Sequence, residues 1–320
     1  MNTPSKIWLI IAACLLGLGL LGFVWSLASH GWDFTAFDTT VYESETFEID
    51  EAFENICIDA ETEDVRFLPS EDGRCRVVFN EPKNVRGEAA VEDGRLSVSR
   101  RSEGNWKDSF SLFSFRTPSI EVYLPQADYG SLTVFVSTGK LEIPEDFRFA
   151  GVYLTASTGD IDCRASSSGP ISVKTSTGDI KLSELSAGTL ELSVSTGKVE
   201  LRSVVCAGDV SLRVGTGKAQ LKDITCKSLS SEGDTGDLTM ENVIAAESIT
   251  VRRDTGDVTL KRCDAAELTI KTDTGDVSGS LLTPKRFIAR TDTGKIDVPE
   301  TDGGVCRVTT DTGDIRFTVS

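Results

Sequence analysis

One corner is written ten times along this chain. A Thr-Gly pair, preceded by Ser or Asp in nine of the ten copies and followed by Asp or Lys, places its glycine at Gly139, Gly159, Gly178, Gly197, Gly217, Gly236, Gly256, Gly275, Gly294 and Gly313. The gaps are 19 or 20 residues. A fixed period of that length is the signature of a stacked-repeat architecture, in which each unit is too small to bury a core alone.

The residues around each corner keep one frame. Counting from the glycine, positions −7, −5 and −3 are mostly apolar, as in Leu190, Leu192 and Val194. Positions +2 and +4 are apolar again, as in Val199 and Leu201, and a further pair often follows at +7 and +9, as in Val204 and Cys206. Period-two alternation means half-buried strands. The glycine supplies a sharp bend, since it takes positive φ without steric cost. The pattern predicts an all-β fold: a parallel β-solenoid of about ten 19–20-residue coils, with the rungs about 4.8 Å apart.

The chain before the repeats differs. Residues 7–27 form an uncharged apolar run, long enough at 1.5 Å per residue to cross a hydrocarbon core of about 30 Å. Lys6 precedes it and acidic residues follow, so the positive-inside bias puts the N-terminus in the cytoplasm and the solenoid outside. The expected organisation is a single N-terminal transmembrane helix within an anchor at 1–29, an acidic linker at 30–54, irregular first coils at 55–125 and the regular solenoid at 126–320. A cleaved signal peptide and a lipoprotein at Cys14 compete with the anchor, but the apolar run continues well past Cys14. Residues 31–75 carry fourteen acidic and two basic side chains, out of a chain net charge of −17. With no basic tract, nucleic acid is not an expected partner.

In the irregular region, residues 55–60 and 65–69 read as a worn first coil with Glu63, Asp64 and Val65 near its corner. Asp93-Gly94 signals a hairpin. Residues 102–117 hold Trp106, Phe110, Phe113 and Phe115, expected to cap the open end of the stack. The last coil ends at residues 315–320 with no capping segment. That predicts an open edge at the C-terminal coil, suited to self-association or to a protein partner.

Several motifs carry chemistry elsewhere. Asp-Thr-Gly occurs at Asp234, Asp254, Asp273, Asp292 and Asp311, but Ser137, Ser157, Ser176 and Ser195 hold the same place. Ser and Asp share the ability to accept a hydrogen bond from a turn N–H, so a structural role explains the exchange better than an aspartic-protease dyad. Asp234, Asp254 and Asp273 with Asp237, Asp257 and Asp276 put six carboxylates on three coils, a candidate Ca²⁺ ladder. The competing reading is a solvated edge neutralised by nearby Lys and Arg. Ser137 with Lys140, and Ser195 with Lys198, match a Ser-x-x-Lys spacing without its partner motifs. His30 is the only histidine, so a Ser-His-Asp triad or a His-based metal site in the rod is excluded. No other cofactor is indicated.

Cys163, Cys206, Cys226, Cys263 and Cys306 fall on inward positions of the frame, where thiols act as small hydrophobes. Cys206 with Cys226, and Cys57 with Cys75, are candidate disulfides. There is no Cys-x-x-Cys pair.

The chain resembles a bacterial family of membrane-associated β-strand-repeat proteins of unknown function, often labelled adhesins. The carriers are Ile120-Glu121-Val122-Tyr123-Leu124-Pro125 leading into residues 132–140, then the serial Thr-Gly-Asp corners from Asp160 to Asp314. The resemblance implies an envelope location and no catalytic residues. Asp in place of Ser before the later corners departs from the commoner family form. The expectation is a non-enzymatic, single-pass envelope protein presenting an extracytoplasmic rod for adhesion or scaffolding. An accessory sensor in envelope-stress signalling is the alternative. A polysaccharide-acting enzyme is disfavoured, because the short repeat leaves no room for projecting loops after Gly139.

Overall fold

The structure, a computed structural model, describes residues 3–29, 31–32, 42–82, 86–101 and 117–319. Helix α1 runs Thr3–Ser29. Among the described residues no helix is long and apolar enough to cross a membrane. The transmembrane span expected from the sequence is therefore not established by the fold. On α1, Leu15, Leu16, Leu18, Leu20 and Leu21 are exposed, whereas Leu27 near its end is buried.

Everything else described is strand and turn. The first nine strands are β1 Tyr42–Ile49, β2 Asn55–Ala60, β3 Asp64–Pro69, β4 Cys75–Pro82, β5 Arg86–Glu92, β6 Arg95–Arg101, β7 Ser119–Leu124, β8 Asp128–Thr138 and β9 Leu141–Ile143. From β8 onward each coil lies in parallel register on its neighbour. The ten corner glycines form one column and make a solenoid of about nine turns.

Each coil has three sides. A strand leads into the glycine and a second leaves it. A further bend then opens a short third side. In Val199–Cys206 the buried residues are Val199, Leu201, Val204 and Cys206, with Arg202 and Ser203 both exposed. Two exposed residues in a row mark the second bend. The core is the stacked interior of these sides, with Leu132, Val152, Ile171, Leu190 and Val210 in one of its columns.

The two ends depart from simple stacking. At the N-terminal end, β2 and β3 form the first parallel rung beneath β8 and β9, with β6 and β7 below them. Then the direction reverses: β5 pairs antiparallel with β6, and β4 with β7. Asp93 and Gly94 make the β5–β6 hairpin turn, both at positive φ, as the Asp-Gly signal predicts. Strand β1 lies antiparallel on β4 as an edge, starting inside the expected linker. The expected aromatic cap, with Trp106, Phe110, Phe113 and Phe115, falls outside the described residues.

At the other end the coils are out of order. Strand Gly304–Thr312 pairs with Glu267–Thr274 on one side and with Lys285–Thr293 on the other. Ile315–Val319 likewise sits between Val277–Leu281 and Ile296–Asp297. The last coil in sequence is thus the penultimate rung. This corrects the expectation that residues 315–320 offer the free edge, which instead belongs to Lys285–Thr293 and Ile296–Asp297.

Side-chain fit explains the inversion. The frame expects an apolar residue four places after Gly275, but the chain has Gly279. The Phe317 ring of the adjoining rung fills that space, only 2.7 Å from where a Cβ on Gly279 would lie. Phe287 of the outermost rung then packs on Phe317, ring centroids 5.4 Å apart. Lys285 adds a clasp. Its Nζ is 2.7 Å from Asp264 Oδ1, and its stem runs beside Gly304 on the intervening rung, where a Cβ would crowd it.

Candidate functional site

Ten equivalent corners are the first place to look for chemistry, and hydrogen bonding accounts for most of what they contain. Nine of the ten glycine N–H groups donate to the threonine carbonyl of the next rung, as Gly159 does to Thr177 at 2.9 Å; the tenth, Gly294, is on the outermost rung. Each corner glycine has φ between 130° and 152°. At nine of the ten, a Cβ would land on the carbonyl of another corner glycine; at Gly139 it would meet that of Glu63. No side chain fits the column.

The Asp after the glycine has a defined task. Its Oδ1 accepts the backbone N–H of the corresponding residue one rung on: Asp179 N to Asp160 at 2.8 Å, Asp276 N to Asp257 at 2.9 Å, Asp257 N to Asp237 at 3.3 Å. The chain of bonds follows the inverted order, since Asp314 N donates to Asp276 and Lys295 N donates to Asp314, each at 2.8 Å. The worn coil takes part through Asp64, whose Oδ1 accepts from Lys140 N at 2.8 Å. Its corner residue Glu63, almost fully buried, turns back to accept from Glu61 N and Thr62 N.

These bonds bear on the Ca²⁺ ladder. Asp237, Asp257 and Asp276 each commit an oxygen to a backbone donor, and Lys218 Nζ lies 3.0 Å from Asp237, holding that carboxyl below its usual range. Among the described residues no three His, Cys, Asp or Glu side chains are grouped as a metal site requires, so the rows with Asp234, Asp254 and Asp273 do not converge on one.

The thiols behave as core residues. Cys163, Cys206, Cys226, Cys263 and Cys306 are all buried, and burial pushes Cys163, Cys226 and Cys306 up to about 12. All are free, so neither Cys206–Cys226 nor Cys57–Cys75 is bonded. Cys57 is half-buried on β2, whereas Cys75 points into the core from β4. In-register parallel neighbours such as Cys206 and Cys226 hold their side chains side by side at roughly the rung spacing, wider than the ~3.8 Å Cβ separation a disulfide prefers.

Two features escaped the frame. Glu184, Ser203, Asp223, Asn242 and Arg262 all have φ near 55°, six places after their glycines, and make the second bend. Asn242 Nδ2 donates to Asp223 Oδ1 at 2.7 Å along that row. With no glycine among them, only the doubled exposed pair signals the turn. The second is Arg253, 2% exposed on an inward position that Val194 and Val214 fill in earlier coils. Gly233 on the rung below leaves room for its guanidinium, which donates to Ser231 Oγ at 2.8 Å. Burial lowers it to about 10.

Cavities lie mainly toward the ends. One of about 450 Å³ on the third side is lined by Tyr129, Arg148, Phe149 and Ser166–Ser167, with Tyr129 already donating to Pro125 O. Another of about 320 Å³ opens at the N-terminal mouth between β1, β4 and β5. There Glu81 is 3% exposed, and burial, with Glu63 adding to it, raises its carboxyl to about 7.

Two stretches, residues 53–225 and 217–319, match the family model described as Toastrack DUF4097. The chain belongs to the Toastrack family. Together the stretches take in nearly all of the β-structure, including the worn first rung and the inverted end. Among solved structures, this Toastrack chain is similar to a "putative adhesin" from Bacteroides fragilis, at 14% identity over 87% of this chain and 97% of that one, TM-score 0.43. It is also similar to a second one from Parabacteroides distasonis, at 11% identity over 87% and 98%, TM-score 0.47. A "putative lipid binding protein" from the same species matches at 16% identity over 74% and 96%, TM-score 0.49. At such scores none of them carries an argument about what this Toastrack protein does. Curated proteins gave no match.

Proposed function

We propose that this Toastrack protein is a non-enzymatic component of the cell envelope, presenting a rigid solenoid outside the membrane as an adhesive or scaffolding rod. The unbroken column of corner glycines carries the reading. A stack without insertions between Gly139 and Gly275 is stiff and has flat flanks. Paired charges such as Lys174–Glu191, Lys181–Asp162 and Lys222–Glu241 neutralise those flanks locally. Such a body suits spacing and display. Anchorage by α1 completes the proposal. Its support is the sequence alone, the uncharged apolar run at 7–27.

The anchor and the orientation are tested together in intact cells. Alkaline extraction leaves the full-length protein in the membrane pellet, and external protease removes the rod once any outer barrier is opened. Recovery in the soluble fraction, or a rod protected until the cytoplasmic membrane is lysed, overturns the proposal. For adhesion, purified protein is incubated with cell-wall material and with intact cells. Binding that falls when the exposed Ile288 and Ile296 of the outermost rung are both changed to Ser supports display from the far end of the rod, and binding that is unchanged argues against it.

A further inference from the structure

We propose that the outermost rung is an interface between two copies of this chain. Two rods meet end to end about a two-fold axis through Ala289, their 285–293 strands paired antiparallel. The contact belongs to the stack itself and needs no particular location.

The core is left open at this end. Phe287, Ala289, Ile296 and Val298 hold inward positions of the frame, but none is buried. The residues at the same positions one rung in are Cys306, Val308, Ile315 and Phe317, all buried. Ile296 is 47% exposed where Ile315 is 0%. Beside them lies a hollow of about 470 Å³ lined by Arg286, Phe287 and residues 298–302. Among the described residues, Lys285–Thr293 and Ile296–Asp297 pair only with the rung beneath and have no strand on their outer side. Such an end is a template for another strand.

The charges on that strand select a second copy. Lys285 is drawn inward to Asp264. The outward row is Arg286, Ile288, Arg290 and Asp292, all exposed. A two-fold through Ala289 sets Arg286 of each copy across from Asp292 of the other, and Ile288 along the stem of Arg290. The inward rows stay together, with Phe287 facing Thr291 and Ala289 facing its own copy. Moving the axis by one residue brings Arg286 against Arg290, or Arg290 against its own copy, and either repels. Asp292 already holds Arg290 at 3.2 Å, whereas Arg286 has no ionic partner among the described residues, although Glu300 and Asp302 line the same hollow. An edge protected by charge carries one sign and repels every copy of itself. This one carries Arg286 and Asp292 equally far from Ala289. The same two-fold lays the second side of one rung over the third side of the other, bringing Ile296 toward the hollow. It leaves the N-terminal ends of the stacks at opposite extremes, so anchored copies would join facing surfaces.

The test is sedimentation of the full-length protein in density-matched neutral detergent, at about 0.1 M salt and from about 1 to 100 µM protein. The wild type dimerises at the upper concentrations. Arg286→Asp and Asp292→Arg each set like charges face to face and weaken the dimer at least about tenfold. An equimolar mixture of the two regains it, since each chain then meets the opposite sign, and so does the variant carrying both changes. Circular dichroism checks that these exposed substitutions leave the fold intact. At dilutions where the wild type is monomeric, 285–293 remains a free edge. A monomer at the highest concentration overturns the proposal, whether the end is bare or covered by another part of the chain. Single variants that dimerise like the wild type also overturn it, placing the contact on α1 or elsewhere, as does a mixture that stays monomeric. All these variants keep Ile288 and Ile296, so the outcome stands apart from the adhesion assay.

Discussion

Gly256 has φ 141°, and a Cβ on it would lie only 2.3 Å from the Gly236 carbonyl oxygen. Gly256→Ala therefore meets both backbone strain and a collision, and is expected to cost at least about 3 kcal/mol in chemical denaturation. The second bend behaves oppositely. Arg262 holds φ 55° with a side chain in place, so Arg262→Gly stabilises by about 0.5–1 kcal/mol on the same measurement. Glu81 sets a pH dependence. Its carboxyl rises from 4.5 to about 7 on folding, so the fold favours the protonated form. Stability is full below the unfolded value, falls as pH climbs from about 4.5 to 7, and stays low above that. Glu81→Gln removes that fall, a difference of roughly 1–3 kcal/mol at pH 8. At this scale the sequence shows which residues point inward, because the frame at −7, −5, −3, +2 and +4 repeats. It hides the Glu184–Arg262 row, where Asp223 and Asn242 suit a left-handed backbone but Glu184, Ser203 and Arg262 have it imposed by stacking.

Individual coils were legible wherever the frame was full, and misleading where it was not. Gly279 breaks the frame at +4, and only the structure shows that Phe317 fills the gap from the next rung. Adjacency in sequence had implied adjacency in space. Phe317→Ala should cost about 3–4 kcal/mol and loosen the outermost rung with it. Hydrogen exchange tests the order directly: amides of 304–312 exchange more slowly than those of 285–293, although they lie closer to the C-terminus. Equal or reversed protection sinks the inverted order. Within the stack, Gly233 and Arg253 form a complementary pair. Gly233→Val alone drives a side chain into the guanidinium and destabilises by several kcal/mol. Adding Arg253→Val removes that collision but not the one with the Val214 carbonyl, 2.8 Å from the new Cβ, so a double-mutant cycle reads only partial recovery.

As a whole the molecule is a one-dimensional stack with two unlike ends, one acidic and reversed in strand direction, the other bearing an exposed edge with Ile288 and Ile296 about half accessible. The period foretold the stack but neither end, since ends are made by residues outside the repeat. A ribosome delivers rungs in sequence, and a repeat rod can fold as each one emerges. Here that progress stops one rung short. Residues 285–297 have no lasting place until 304–319 have been made and have slipped in beneath them. Until then the chain shows an unfinished surface at 267–281, the one that 304–319 will cover. The C-terminal inversion thus makes the place of one segment wait on another made after it.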